Sequence, residues 1–189
     1  MHRNNLREKL EHYHPTDKRE MADKSKMLDF LDSHENCFER SLSIGHFTGS
    51  CWIINHDGAK FLLTLHKKMG FWLQLGGHAD GDSDIARVSL KEAHEESGLR
   101  HIELLSEEIF DIGVHLTPEY QGIPAHYHYD VRFLMRASDP QEHIKISDES
   151  DDLRWFDEVS VLPPDSGLNI PRMFKKWKNC RNGGAHEKQ

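Results

Sequence analysis

Apolar positions along the chain change their period twice. Over residues 3–34 they recur at helical spacing, and Pro15 divides the stretch into two helices. In the second of these, Met21, Met27, Leu28, Phe30 and Leu31 supply an apolar face, and Asp17 and Glu20 have the spacing of a capping box. From residue 44 the spacing shortens to that of strands. Segments 45–54 and 60–65 flank Asn55-His56-Asp57-Gly58, a turn signal that predicts a hairpin. A short run over 71–75 ends at Gly76-Gly77, and a helix over 83–97 stops at Gly98. Strands follow near 101–115, 126–136 and 153–156, then a last helix opened by Asn169 and Pro171 and carrying Met173, Phe174 and Trp177. Strands outnumber helices, which predicts an α+β or α/β/α layered domain with a mixed sheet. The division expected is a helical extension over 1–40 packed on the domain, the domain proper over 41–180, and a flexible tail over 181–189.

Composition narrows the class. The chain has 189 residues, enough for one domain with a substantial core, and four Trp and nine Phe argue against disorder despite 30% charged residues. No apolar stretch approaches the roughly twenty residues that span a bilayer, and the first residues lack an apolar signal core. Cys37, Cys51 and Cys180 are odd in number and far apart, which suits reduced thiols in a cytoplasm, with Cys51 a small core residue. A formal net charge of −8 disfavours nucleic acid and anionic membranes as partners. It still admits a phosphorylated small molecule, because a bound metal reverses the local sign. Fifteen histidines are far above ordinary usage.

The most informative segment runs from Gly76 to Leu99. On a helix of about 3.6 residues per turn, Glu92 and Glu96 lie one above the other with Glu95 beside them. Ile85 falls within roughly 20° of Glu92, and Val88 shares that side, so the carboxylates continue an apolar stripe. Acidic groups on a face that begins buried repel one another and lose solvation, and they call for cations. Oxygen ligands at this density suit Mg²⁺ or Mn²⁺. The competing reading is a solvated acidic face, which charged helices commonly are.

Gly77-x5-Ser83-x7-Lys91-Glu92-Ala93-x-Glu95-Glu96-x-Gly98-Leu99 resembles the Nudix box, G-x5-E-x7-R-E-U-x-E-E-x-G-U with U aliphatic. The match covers 23 residues, and the strands around it fall in the order that fold requires. Two positions depart from the pattern: Ser83 stands where the family has Glu, and Lys91 replaces an Arg. Lysine keeps the charge but loses the two-pronged geometry that would orient Glu92. The resemblance implies a Mg²⁺- or Mn²⁺-dependent hydrolase of a diphosphate linkage in a nucleoside diphosphate joined to another group. It also implies that Glu92, Glu95 and Glu96 hold the metals together with the backbone carbonyl near Gly77. Glu92, Glu96 and Glu149 are then the candidate catalytic residues, Glu149 being a ligand or general base on the loop before a later strand. A solvated acidic loop is the alternative for Glu149.

Strand alternation over 126–135 sends Tyr127, Tyr129, Val131, Phe133 and Met135 to the core and His126, His128, Asp130 and Arg132 to the other face. That second row is either a site for phosphate or metal, with His126, His128 and Arg132 as substrate contacts, or a solvent-facing polar side. His66, His94 and His143 are expected at the surface. A weaker similarity is to the isopentenyl-diphosphate isomerases, which share the fold, use a Cys-Gly-His segment at the start of the box and draw a metal-binding His from an early strand. Gly76-Gly77-His78 and His46 stand at those places, so His46 and His78 are candidate metal ligands. Gly76 disfavours the isomerase chemistry, because the reactive thiol would have to sit there. A non-catalytic nucleotide-sensing domain is the alternative from another class, although Glu92 and Glu96 are both present. A bare histidine-rich metal carrier would not explain the glycine loop. The substrate is not legible, and the N-terminal helices have three open roles: cover for the sheet, a homodimer contact, or a lid.

Overall fold

The computed structural model describes residues 2–120, 122–159 and 162–183. In chain order the elements are α1 (His2–His12), α2 (Lys18–Ser33), β1 (Gly45–Ile54), β2 (Lys60–His66), β3 (Phe71–Leu73), β4 (Leu75–His78), α3 (Ile85–Ser97), β5 (Ile102–Leu104), β6 (Asp111–Thr117), β7 (His126–Ala137), β8 (Ser150–Asp157) and α4 (Ile170–Gly183). The ladders run β3-β2-β1-β7-β5, with β4 on β1, β6 on β7 and β8 on β2, giving an α+β fold with a mixed sheet. The run over 71–75 is two strands and not one: β3 pairs with β2 and β4 with β1. The stretch near 101–115 is also two strands, β5 and β6, each antiparallel to a different part of β7. The chain divides into two compact units, interleaved in sequence.

The first unit holds residues up to Cys51, Gly76–Glu92 and Ser106–Leu134. Pro15 separates α1 from α2, and Asp17 caps α2 by accepting from the Glu20 N–H at 2.8 Å. The Glu20 carboxylate turns back to accept from the Thr16 N–H and hydroxyl and from Tyr13, so it is fully buried without being bare. The buried stripe of α2 is Glu20, Asp23, Met27, Phe30 and Leu31. Met21 is 64% exposed, a correction to the expected apolar face, because it lies one residue, about 100° of helix, off the stripe that Glu20 begins. Asp23 instead reaches β6, where its carboxylate accepts from the Val114 N–H at 3.2 Å. Phe30 stacks on Tyr129 of β7 with ring centroids 3.9 Å apart, and Phe38 stacks on Phe47 of β1.

The second unit is built on β2, which is antiparallel to β3 and β8. Its core places Trp52 against Phe61 at 4.7 Å and the edge of Trp177 on Phe61 at 5.1 Å. Trp177 and Met173 face inward from α4. This helix continues to Gly183, so Arg181, Asn182 and Gly183 are helical and not part of a frayed tail. Residues 184–189 lie outside the described residues. Cys51 is fully buried, as expected of a core residue, and no disulfide is present among the described residues. No helix among the described residues is long and apolar enough to cross a membrane.

Candidate active site

The site is assembled around a close approach of β4 to α3. A side-chain carbon at Gly77 would lie 2.5–2.8 Å from the carboxylate atoms of Glu92, so the absence of a side chain there is what lets that carboxylate sit against the strand backbone. Upstream, Asp80 (φ 50°) and Gly81 (φ 86°) reverse the chain in left-handed conformations, and Arg40 forms a two-pronged ion pair with Asp80. Asp82 and Asp84, on either side of Ser83, are used locally. Asp84 accepts from the Arg87 N–H at the start of α3, and Asp82 accepts from the Asp84 N–H and pairs with Arg87. Ser83 stands between them, half-buried.

Along α3 the expected stripe is present. Ile85 and Val88 are buried, Glu92 is 15% exposed at its side chain, and Glu96 is 8% exposed. Glu95 lies outside the stripe and is exposed. Lys91 reaches Glu92, its ammonium nitrogen 3.5 Å from one carboxylate oxygen, where an arginine would present a two-pronged fork. The helix ends at Gly98, whose φ of 67° is left-handed and whose N–H donates to the His94 carbonyl. Glu149 is exposed in the turn before β8, and its carbonyl accepts from the Lys67 N–H at 2.9 Å.

The residue before this cradle is fixed by packing. A side-chain carbon at Gly76 would come within 2.6 Å of the Ser50 Cα, a backbone atom that cannot swing aside. The thiol of the isomerase pattern therefore has no room. Gly76→Cys is expected to destabilise the protein by about 1–3 kcal/mol, the usual cost of forcing extra atoms into a packed site. Urea unfolding measures it, and an unchanged midpoint would refute the steric account.

The polar row of β7 is interior, not solvent-facing. Asp130 is 2% exposed and Arg132 is fully buried. Arg132 donates to Asp130 at 2.7 Å and to Asp111 of β6 at 2.6 Å, while the hydroxyls of Thr48 and Ser50 donate to the other Asp130 oxygen at 2.9 and 2.7 Å. Arg132, read from sequence as a substrate contact, is thus enclosed and bound by two carboxylates. His126 and His128, its neighbours on the same face, are half-buried and lie beside His46 and His78. Tyr127, assigned to the core, is 45% exposed near the end of the strand.

Burial, then neighbouring histidines, holds His46 down to about 4 and His128 down to about 2, and burial also lowers His115. An unfolded chain takes up protons near 6.5 that these folded imidazoles refuse. The stability of metal-free protein should therefore be full above about pH 6.5 and fall steadily as the pH drops from there towards 4. Denaturant midpoints in a chelating buffer across that window test the sign. Constant stability down to about pH 4 would contradict it.

No protein-family model and no curated protein matches the chain in sequence. Solved structures do match in shape. A C. elegans Ap4A hydrolase, solved as a binary complex, aligns with a TM-score of 0.58 at 16% identity, over 72% of this chain and 98% of that one. A Nudix-family hydrolase from Clostridium perfringens aligns with a TM-score of 0.50 at 22% identity, over 71% and 97%. A MutT Nudix hydrolase from Burkholderia pseudomallei gives 0.50 at 19% identity, over 69% and 95%. The chain has the Nudix fold, and its box-like segment forms the glycine-bearing strand β4 and the carboxylate helix α3.

Proposed function

We propose that this protein is a Mg²⁺- or Mn²⁺-dependent hydrolase that splits a diphosphate linkage in a nucleoside diphosphate joined to another group. The observation that carries the reading is the Glu92 carboxylate seated against side-chain-free Gly77, with Glu96 buried one turn further along the same helix. The residues fit a divalent ion. A hard cation takes oxygen ligands, and here carboxylates stand on a largely apolar stripe where their charge needs compensation. Glu92, Glu95 and Glu96, with the Gly77 carbonyl, would hold it. When bound, such an ion supplies Lewis-acid stabilisation of phosphoryl charge and lowers the pKa of a coordinated water. Lys91 draws on Glu92 from one side and biases its orientation. The proton-acceptor role of Glu149, which lies exposed in the turn before β8, rests on the sequence resemblance alone. Arg132 is left out of the substrate contacts because its guanidinium is enclosed and occupied by Asp111 and Asp130.

The test is a substrate panel of nucleotide sugars, dinucleoside polyphosphates, ADP-ribose, CDP-alcohols and nucleoside triphosphates, each with Mg²⁺ and with Mn²⁺. The expected result is metal-dependent release of a nucleoside monophosphate or phosphate from at least one class. Binding of a panel member without turnover under either metal would instead favour a nucleotide-sensing domain.

A further inference from the structure

Five imidazoles on four strands converge in the first unit: His46 on β1, His78 at the end of β4, His115 on β6, and His126 and His128 on β7. The His46 ring lies 5.0 Å from those of His78 and His126 and 4.9 Å from that of His128, centroid to centroid. His78 and His128 are 5.1 Å apart. One ring nitrogen from each of His46, His78 and His128 falls within 4.8 Å of the others. His46 is 3% exposed, yet neither of its ring nitrogens has a hydrogen-bond partner. A buried polar group left unsatisfied is costly, and a bound ligand at the cluster would remove that cost.

We propose that His46, His78 and His128, with the Nε2 of His126 as a fourth ligand, form a site for a divalent d-block ion of the Zn²⁺ class, separate from the carboxylate site on α3. The ligand chemistry sets the class: neutral imidazole nitrogens suit Zn²⁺ and its d-block neighbours, whereas Mg²⁺ and Ca²⁺ take oxygen. The geometry is close to what such an ion needs. Zn–N bonds of about 2.0–2.1 Å in a tetrahedron hold the nitrogens about 3.3 Å apart. His126 Nε2 and His128 Nε2 already stand 3.1 Å apart, and rotation about side-chain bonds can bring in the rest. The outer shell is also in place. His126 Nδ1 lies 2.8 Å from the Pro124 carbonyl, which can only accept, so the proton sits on Nδ1 and Nε2 offers its lone pair.

The test uses full-length protein stripped with a chelator and then given Zn²⁺ or Co²⁺ alone. Wild type should retain one Zn²⁺ per chain after gel filtration and melt at a higher temperature with it. Co²⁺ should give the strong visible bands of a tetrahedral nitrogen site. His78→Ala and His128→Gln should each weaken Zn²⁺ binding by more than about a hundredfold, the upper range for losing even an outer-shell partner. The Glu92→Gln/Glu96→Gln double variant should bind Zn²⁺ as wild type does, so this site can stand or fall independently of the proposed hydrolase. No Zn²⁺ retained by wild type would overturn the proposal, as would retention undiminished in both histidine variants or binding lost in the carboxylate variant. Because His78 and His128 are half-buried, circular dichroism of both variants separates loss of binding from loss of fold.

Discussion

Glu96→Gln is expected to reduce metal-dependent hydrolysis by more than about a hundredfold while leaving the fold intact, because outer-shell partners alone already cost 10–100-fold. The exchange preserves shape and removes only the charge. Glu96 is 8% exposed on the apolar stripe of α3, so its carboxylate gains little from water and much from a cation. The neutral amide loses the attraction and offers a weaker oxygen ligand. Turnover with the panel's best substrate, followed against Mg²⁺ concentration, measures the effect. Full activity at saturating metal would remove Glu96 from the ligand set and, with it, the metal assignment on α3.

Arg132→Ala is expected to destabilise the protein by about 3–5 kcal/mol, the cost of leaving one side of a buried ion pair uncompensated. Two carboxylates lose the same guanidinium together. Asp111 is fully buried and Asp130 is 2% exposed, and both take their short charged bonds from this guanidinium. Thr48 and Ser50 still donate to Asp130, which moderates the loss there. Replacing the trio together, by Arg132→Met, Asp111→Asn and Asp130→Asn, should recover much of the stability because no buried charge is left alone. Urea unfolding followed by tryptophan fluorescence reads both variants. A loss below about 1 kcal/mol in Arg132→Ala, coupled to a raised KM, would return Arg132 to the substrate contacts.

The contrast between α3 and β7 shows what could be read from the chain. On α3 the period of about 3.6 residues fixes which side chains share a face, so Ile85, Val88, Glu92 and Glu96 were legible as one stripe before any contact was known. Gly77 was legible only as part of a glycine loop before the helix. What approaches it, the Glu92 carboxylate, is a tertiary fact. On β7 the period of two sorted Asp130 and Arg132 from Val131 and Phe133 correctly but could not say that both faces are covered. The signal for burial was there in weak form: Asp111, Asp130 and Arg132 are charges that can neutralise one another, yet pairing them required the β6–β7 register. The split of 71–75 into two strands escaped for a related reason, since strand partners are chosen by the sheet and not by the run of residues.

The sequence by itself determined the periodic elements, the helix caps, the glycine loop and the row of carboxylates, because local backbone geometry places residues a few positions apart without outside help. Only the tertiary structure decided that His46, His78, His126 and His128 share one space and that Arg132 is locked between two aspartates. His126, His128, Asp130 and Arg132 share one face of β7, but their partners His46, His78 and Asp111 come from other strands. Their meeting depends on register and on which faces are buried, and no local pattern encodes either.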